Sequence, residues 1–171
     1  MSRSWICIRI VTLRGVCCAR SNLPDSADAF SAQIAARLDN AEAITIELEA
    51  TADVAVAAAL VRTVAVVSGF VARVAAEVAT AAAELASNAV RHAGAGVLTV
   101  ERAGNGIVVT VVDRGTGTAA MLREQLRAPA PNNPARGGLG HGVAAVARLM
   151  SGLEFADRDG GGVVARAWRN A

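Results

Sequence analysis

The amino-acid sequence predicts an α+β domain, a two-layer α/β sandwich in which helices cover one face of a mostly antiparallel sheet. The predicted elements follow the order strand, two helices, hairpin, loop, helix and hairpin. Turn-forming residues at 103–106 and 157–162 join the strands of each hairpin, which favours antiparallel pairing. No internal repeat is evident along the chain.

Length and composition limit the classes of function. A chain of 171 residues is long enough for one domain with a buried core. Hydrophobic residues make up 53% but aromatic residues only 3%, so we expect a core of small and β-branched side chains. A net charge of +2 without a dense Lys/Arg run gives no reason to expect binding to nucleic acid or a membrane surface.

The cysteines and the apolar segments indicate a compartment. Cys7, Cys17 and Cys18 are followed by no Cys or His at a metal-ligand spacing, so we interpret them as free thiols in a reducing cytosol. No uncharged apolar stretch reaches about 18 residues, the length that a membrane span requires. The sequence therefore predicts a cytoplasmic protein without a membrane span.

The first 42 residues differ in texture from the rest. They mix apolar and basic residues without clear periodicity, and we interpret 1–42 as an N-terminal extension that need not be well ordered. A translation start assigned too far upstream gives the same appearance. Within this extension, 28–38 fits a short helix. The domain itself is predicted at 43–171.

Strand and helix signals follow from residue 43 onward. Residues 43–49 alternate apolar and polar side chains, as in a strand with one buried face. Asp53 is predicted to be the N-cap of a helix that ends near residue 67. A second helix is predicted at 71–92 and ends before Gly94, a residue type typical of helix C-caps.

The later elements are two strand pairs on either side of a loop and a helix. The segment 118–136 combines a short helical stretch at 121–126 with several prolines, which is typical of a mobile surface loop that closes on a ligand. Strands are predicted at 97–101 and 107–112 before the loop and at 153–156 and 163–168 after it, with a helix at 143–150.

A polar stripe lies on the second helix. Glu84, Asn88 and His92 recur at i, i+4 and i+8, so they share one face of the helix. Taken alone, such a stripe is most often a solvated helix face. The glycine-bearing segments that follow favour a binding site instead.

The first of these segments is Asp113-x-Gly115-x-Gly117, at the end of an apolar strand. A carboxylate at that position can accept a hydrogen bond from an exocyclic amine, while the glycines leave room for a flat ring. A plain turn with an Asx hydrogen bond fits the same residues.

The second segment is Gly138-x-Gly140-x-Gly142, which opens a helix. Backbone N–H groups and the helix dipole make such a turn a binding site for phosphate, and an ordinary hinge is the alternative. A Rossmann fingerprint is excluded because no strand runs into these glycines. A P-loop is excluded because no Gly-Lys-Ser/Thr follows.

The order of the three motifs carries a resemblance to a known family. The motifs follow one another as Glu84-x-x-x-Asn88, Asp113-x-Gly115-x-Gly117 and Gly138-x-Gly140-x-Gly142. With these motifs in this order, residues 43–169 resemble the GHKL ATP-binding superfamily. Within that superfamily they are similar to the small serine/threonine protein kinases and anti-sigma factors of bacterial partner switching. The run 83–94 and the glycines that end it look most like the stressosome-type switch-kinase branch.

The resemblance implies a role for each motif residue, with ATP and Mg²⁺ as cofactors. Glu84 would be the general base that takes the proton from a Ser or Thr hydroxyl. Asn88 would bind both nucleotide and Mg²⁺ through its side-chain oxygen. Asp113 would accept a hydrogen bond from the adenine amine. The remaining nucleotide contacts would come from Gly115 and Gly117 beside the ring and from Gly138, Leu139, Gly140, His141 and Gly142 around the phosphates.

The implied function is an ATP-dependent serine/threonine protein kinase that phosphorylates a small STAS-type antagonist and so regulates a sigma factor or a phosphatase. A homodimer is a further expectation. The alternative is a non-catalytic, nucleotide-bound module that sequesters a sigma factor, but such a module has no need of the base Glu84. One departure concerns the turn 160–163, which lacks the Thr that the family often carries near the adenine. Weaker nucleotide binding, or a water in place of the Thr, would follow.

Overall fold

The computed structural model of the chain describes residues 7–12, 15–20, 41–127 and 141–171. Side chains are described for 43–127 and 142–171. These residues form seven strands and four helices. In chain order they are β1 (Cys7–Thr12), β2 (Gly15–Arg20), β3 (Ala41–Leu48), α1 (Thr51–Val67), α2 (Ala72–Ala93), β4 (Gly96–Ala103), β5 (Gly106–Asp113), α3 (Ala119–Arg127), α4 (His141–Leu149), β6 (Gly152–Asp157) and β7 (Val163–Arg169).

The described strands form one sheet in the order β2-β1-β3-β4-β5-β7-β6. Every neighbouring pair in this sheet is antiparallel. The predicted hairpins β4–β5 and β6–β7 are both present, and the helices pack on one face of the sheet. The structure thus confirms the predicted α+β sandwich.

The core lies between the sheet and the helix pair α1–α2. Alternation along β3 puts Ile44, Ile46 and Leu48 on the helix side, where each is fully buried. Burial of each such side chain contributes about 1.5–3 kcal/mol to folding. On the other side of the sheet, Thr45 and Thr99 share a hydrogen bond of 3.0 Å between hydroxyls, as expected for a solvated face. The strand prediction at 43–49 is therefore confirmed together with its buried face.

The helix ends show one confirmed prediction and one wrong one. Helix α2 ends at Gly94, whose φ of 76° is left-handed, a conformation that glycine adopts without the steric cost of a Cβ. Helix α1 has Ala50 as its N-cap, so the assignment of that position to Asp53 was wrong. The Asp53 carboxylate reaches back instead and accepts hydrogen bonds of 2.8 Å from the N–H groups of Glu49 and Ala50. It still satisfies free N–H groups at the helix start, from inside the first turn.

Two strands lie in the segment interpreted as an N-terminal extension. Strand β1 pairs with β3, and β2 pairs with β1 at the edge of the sheet. The predicted boundary at 42–43 falls inside β3, so the sheet continues across it. The division into extension and domain stays a prediction, and the helix predicted at 28–38 lies outside the described residues.

Candidate functional site

A pocket of about 300 Å³ opens between the helix layer and the sheet. Its walls come from α2, α3, α4, the strands β5, β6 and β7, and the loop after β5. The volume lies at the lower end of the range for small-molecule sites, about 300–1,000 Å³. Apolar side chains such as Val111 and Phe155 form much of the surface, and a few polar groups lie among them.

The pocket brings together predicted site residues from three separate segments of the chain. Asn88, Asp113, Gly115, Gly117 and Gly142 all line it, although up to 54 positions separate them in sequence. The predicted phosphate contacts Gly138, Leu139 and Gly140 lie outside the described residues, and so does the side chain of His141. The proposed ligand contacts of all these residues stay predictions.

Asp113 is held by the backbone through one of its two carboxylate oxygens. Its Oδ1 accepts hydrogen bonds from the N–H of Gly115 at 2.9 Å and of Val163 at 3.3 Å. The first bond is the Asx turn that was the alternative interpretation of this motif, and the second connects β5 to the start of β7. Within the described part of the chain, Oδ2 has no hydrogen-bond partner. It is therefore available to accept a hydrogen bond from an amine in the pocket.

The turn before β7 fits closely against Asp113. Gly160, Gly161 and Gly162 have φ values of 86°, 96° and 94°, a region that other residues rarely adopt. A Cβ on Gly162 would overlap the Asp113 carbonyl group, and nothing within 4 Å restricts Gly160. Close backbone contact therefore accounts for glycine at 162. Val163, the next residue, lines the pocket.

The two glycines after Asp113 differ in what surrounds them. A Cβ on Gly115 would lie 2.8 Å from the Cβ of Ala93, so glycine there lets the loop pack against the end of α2. Gly117 has nothing within 4 Å of its ideal Cβ position and borders open space. Only Gly117 thus leaves unoccupied room beside the pocket, whereas the missing side chain of Gly115 is required by packing within the protein.

Glu84 and Asn88 face helix α4 rather than bulk solvent. A Cβ on Gly142, in the first turn of α4, would lie 2.5 Å from Glu84 Oε2 and 3.8 Å from Asn88 Nδ2. Both side chains are half-buried, so the solvated-face interpretation of the stripe is wrong for these two residues. Glu84 is not among the lining residues of the pocket and lies beside it, at the N-terminus of α4. The helix dipole there favours a negatively charged group.

The Glu84 carboxylate has no hydrogen-bond or ion-pair partner in the described residues. A half-buried carboxylate without a partner is uncommon, because charged groups are normally paired where water is partly excluded. As far as the described ranges extend, the oxygens of Glu84 can accept a proton or a hydrogen bond from a group bound next to Gly142.

The structure adds pocket residues that the sequence did not single out. Helix α3, at the start of the predicted loop, contributes Met121, Leu122 and Gln125 to the wall. Asp157 caps this helix by accepting a 2.7 Å hydrogen bond from the N–H of Ala119. The i, i+1, i+4 spacing of the three wall residues was the available sequence signal. His92, the third residue of the polar stripe, also lines the pocket.

Comparison with known proteins assigns the fold to a family. The sequence model of the histidine kinase-like ATPase domain matches residues 32–168, which is most of the chain. The chain belongs to this family. The match begins after β1 and β2, so these two strands precede the region shared with the family. The comparison with curated proteins gives no match.

Family membership implies an ATP-binding domain of the GHKL type, in general one that uses Mg²⁺. The donor set fits such a ligand, since Asp113 offers an acceptor for an amine, Asn88 offers an amide oxygen, and the N-terminus of α4 favours phosphate.

Among the described residues, no three His, Cys, Asp or Glu side chains cluster as a metal site. No helix in the described ranges is long and apolar enough to cross a membrane.

Proposed function

We propose that this histidine kinase-like ATPase domain is a serine/threonine protein kinase of a bacterial partner-switching pathway. Its substrate would be a Ser or Thr on a small STAS-type antagonist protein, and the phosphate would change that protein's affinity for a sigma factor or a phosphatase. The similarity of residues 83–94 to the stressosome-type switch kinases supports this branch of the family. The proposed setting is the cytosol.

The observation that carries the proposal is the position of Glu84. Its carboxylate lies against Gly142 at the start of α4 and one helical turn from Asn88, and it has no partner among the described residues. A pure binding module has no use for an unpaired, half-buried carboxylate, which has a desolvation cost. A phosphotransferase needs such a group as a general base near the transferred phosphate.

Each pocket residue then has a defined task. Asp113 Oδ2 accepts from the adenine amine, and Asn88 contributes a neutral oxygen ligand to Mg²⁺. The first turn of α4 presents backbone N–H groups toward the phosphates, and glycine at 142 avoids a clash with Glu84. With Mg-ATP bound, Glu84 would take the proton of the acceptor hydroxyl, whose oxygen would bond to the γ-phosphorus as the bond to the leaving ADP breaks. Positioning and charge neutralisation dominate this class of reaction.

A transfer assay tests the proposal. The protein is incubated with Mg-ATP and the STAS-type protein encoded nearest to it, and intact-mass measurement detects the phosphate, an addition of about 80 Da. We expect wild-type protein to transfer phosphate and Glu84→Gln to lose at least about 100-fold in rate, in line with general-base contributions. Glu154→Gln is the matched control, because Glu154 lies on the face of the sheet opposite the helices, paired with Arg166.

The outcomes separate the kinase from the sequestering module. Retained ATP binding with lost transfer in Glu84→Gln supports the base role, since removal of the charge leaves the nucleotide contacts in place. A stable complex between wild-type protein and the antagonist, with no transfer under any condition, would overturn the kinase and leave the non-catalytic, nucleotide-bound module.

A further inference from the structure

Helices α2 and α4 flank the side of the pocket that is proposed to hold the phosphates, and they are in contact at both ends of α4. At its N-terminus, Gly142 lies against Glu84 of α2. At its C-terminus, the Leu149 carbonyl accepts a 2.6 Å hydrogen bond from Arg169 Nη1, and Arg169 Nη2 lies 3.3 Å from Glu77 Oε2 of α2. Glu77 precedes Glu84, whereas Leu149 follows Gly142, so α4 runs antiparallel to α2.

The spacing of these contacts matches on the two helices. Seven residues separate Glu77 from Glu84, and seven separate Gly142 from Leu149, so each interval spans roughly 10.5 Å at 1.5 Å per residue. An i, i+7 pair also shares one helix face, which explains why both glutamates point toward α4. The position of α4 along α2 is therefore defined by one contact at each end.

The contact at the C-terminal end has the features of a specific clamp. The side chains of Arg169 and Glu77 are only 24% and 22% exposed, so solvent screens their ion pair less than a surface pair. The Leu149 carbonyl belongs to the last turn of α4, where carbonyls lack intrahelical partners and a cation is favourable. The planar guanidinium of Arg169 serves both acceptors at once, which a lysine ammonium does with poorer geometry.

We propose that Arg169, held by Glu77, is a positioning residue that sets the axial position of α4 and with it the gap between Gly142 and the Glu84–Asn88 pair. Arg169 is not among the residues that line the pocket. Its effect on the ligand passes through α4, whose first turn faces the phosphates. The inference rests on the proposed nucleotide site and deepens it.

The clamp should act on phosphate binding and leave base binding unchanged. The base side depends on Asp113, which is held by Gly115 and by Val163 at the opposite end of β7 from Arg169. Loss of Arg169 also leaves Glu77 with a partner, because Arg73 lies 3.7 Å from Glu77 Oε1. The variant Arg169→Met therefore does not strand an unpaired charge in the protein interior.

The test compares ligands that carry or lack phosphates. Isothermal titration calorimetry measures the Kd for Mg-ATP and for adenosine with wild-type protein, Arg169→Met and Arg169→Lys. We expect Arg169→Met to weaken Mg-ATP binding by about tenfold or more and adenosine binding by less than about twofold, with Arg169→Lys in between. Arg166→Met is the matched control, because Arg166 lies on the same strand and pairs with Glu154 at 3.2 Å, but on the other face of the sheet.

A second readout does not depend on ligand. Amide hydrogen exchange in the free protein should rise across α4 in Arg169→Met and stay at the wild-type level in Arg166→Met. Glu77→Gln gives the same test with an isosteric change if Arg169→Met fails to fold. Two results in Arg169→Met would overturn the clamp. One is an equal loss of affinity for Mg-ATP and for adenosine, and the other is no selective loss of Mg-ATP affinity together with unchanged amide exchange in α4. Absence of ATP binding by wild-type protein would instead refute the proposed function, and the exchange measurement would still decide on the clamp.

Discussion

Replacement of Asp113 by Asn separates the structural role of this side chain from its role toward the ligand. Oδ1 accepts two backbone hydrogen bonds, from Gly115 and Val163, and Oδ2 has no partner in the described structure. Asparagine retains an oxygen for the two backbone donors and places an NH₂ group where Oδ2 was. That NH₂ group would face the adenine amine, so an acceptor is replaced by a second donor.

The expected loss in affinity follows from that single contact. A hydrogen bond to a charged group contributes about 1.5–3 kcal/mol, which corresponds to an increase in the Kd for ATP of about 10- to 150-fold. The preference for ATP over GTP should fall as well, because the Asn NH₂ can donate to the carbonyl oxygen of guanine. Repulsion between the two donors moves the result toward the upper end of the range.

The effect on stability should be smaller and should depend on the substituent. Asp113→Asn weakens two charge-assisted bonds to neutral ones, and we expect a loss of about 1–2 kcal/mol in the free energy of unfolding. Asp113→Ala removes the acceptor for two partly buried N–H groups, so we expect a loss of about 2–4 kcal/mol. The difference between the two variants measures the two backbone bonds.

Calorimetric titration with ATP and GTP, together with urea unfolding, measures both quantities on the same samples. Asp159→Asn is the control, since Asp159 is an exposed carboxylate in the β6–β7 turn. Wild-type ATP affinity in a folded Asp113→Asn variant would show that Oδ2 is not the acceptor and that the base binds elsewhere. Equal stability of the Asn and Ala variants would refute the account of the backbone bonds.

Four further substitutions test the surrounding structure. Gly162→Ala should lower the free energy of unfolding by about 2–4 kcal/mol through left-handed strain and overlap with the Asp113 backbone, whereas Gly160→Ala, with strain alone, should lose about 1 kcal/mol in thermal unfolding. Asp157→Ala should remove one of two caps of α3, the other being the Thr118 hydroxyl, at a cost of about 0.5–2 kcal/mol, seen as faster amide exchange in that helix while α4 is unchanged. Leu98→Ala, at a fully buried position, should lose about 2–5 kcal/mol in urea unfolding without a selective change in nucleotide affinity.

The elements that the sequence predicted well have either a clear helical period or a nearly continuous apolar run. Helix α2 was expected at 71–92 and is found at Ala72–Ala93, because its apolar side chains repeat at helical spacing and Gly94 marks its end. Strand β5, expected at 107–112, occupies Gly106–Asp113. Its nearly continuous apolar run reflects a place inside the sheet, with a hydrogen-bonded neighbour on each side.

The two missed strands lacked such a period. The segment 7–12 reads Cys-Ile-Arg-Ile-Val-Thr, with apolar residues at both odd and even positions. Alternation between apolar and polar residues is then lost, and the basic residue Arg9 makes the segment look irregular. The pairing of β1 with β3, a contact distant in sequence, defines the strand.

The motif residues were visible in the sequence, but the face they occupy was not. The spacing of Glu84 and Asn88 placed them on one side of α2, and the solvated interpretation remained open until α4 was found against that side. Which side of a helix is covered depends on an element some 55 residues later in the chain, so no local pattern contains it. The same holds for Arg169, whose two partners lie on α4 and α2.

The two glutamates on the α4-facing side of α2 illustrate how one helix can separate structural and chemical tasks. Glu77 is paired with Arg169 and lies against the end of α4, where a cation and a carbonyl satisfy each other. Glu84, seven residues later on the same face, has no described partner and lies at the opposite end of α4, where the helix dipole favours its charge. Under the proposed function, Glu77 would anchor α4 and Glu84 would take the proton, and the clamp would make the geometry of Glu84 depend on the Glu77–Arg169 pair.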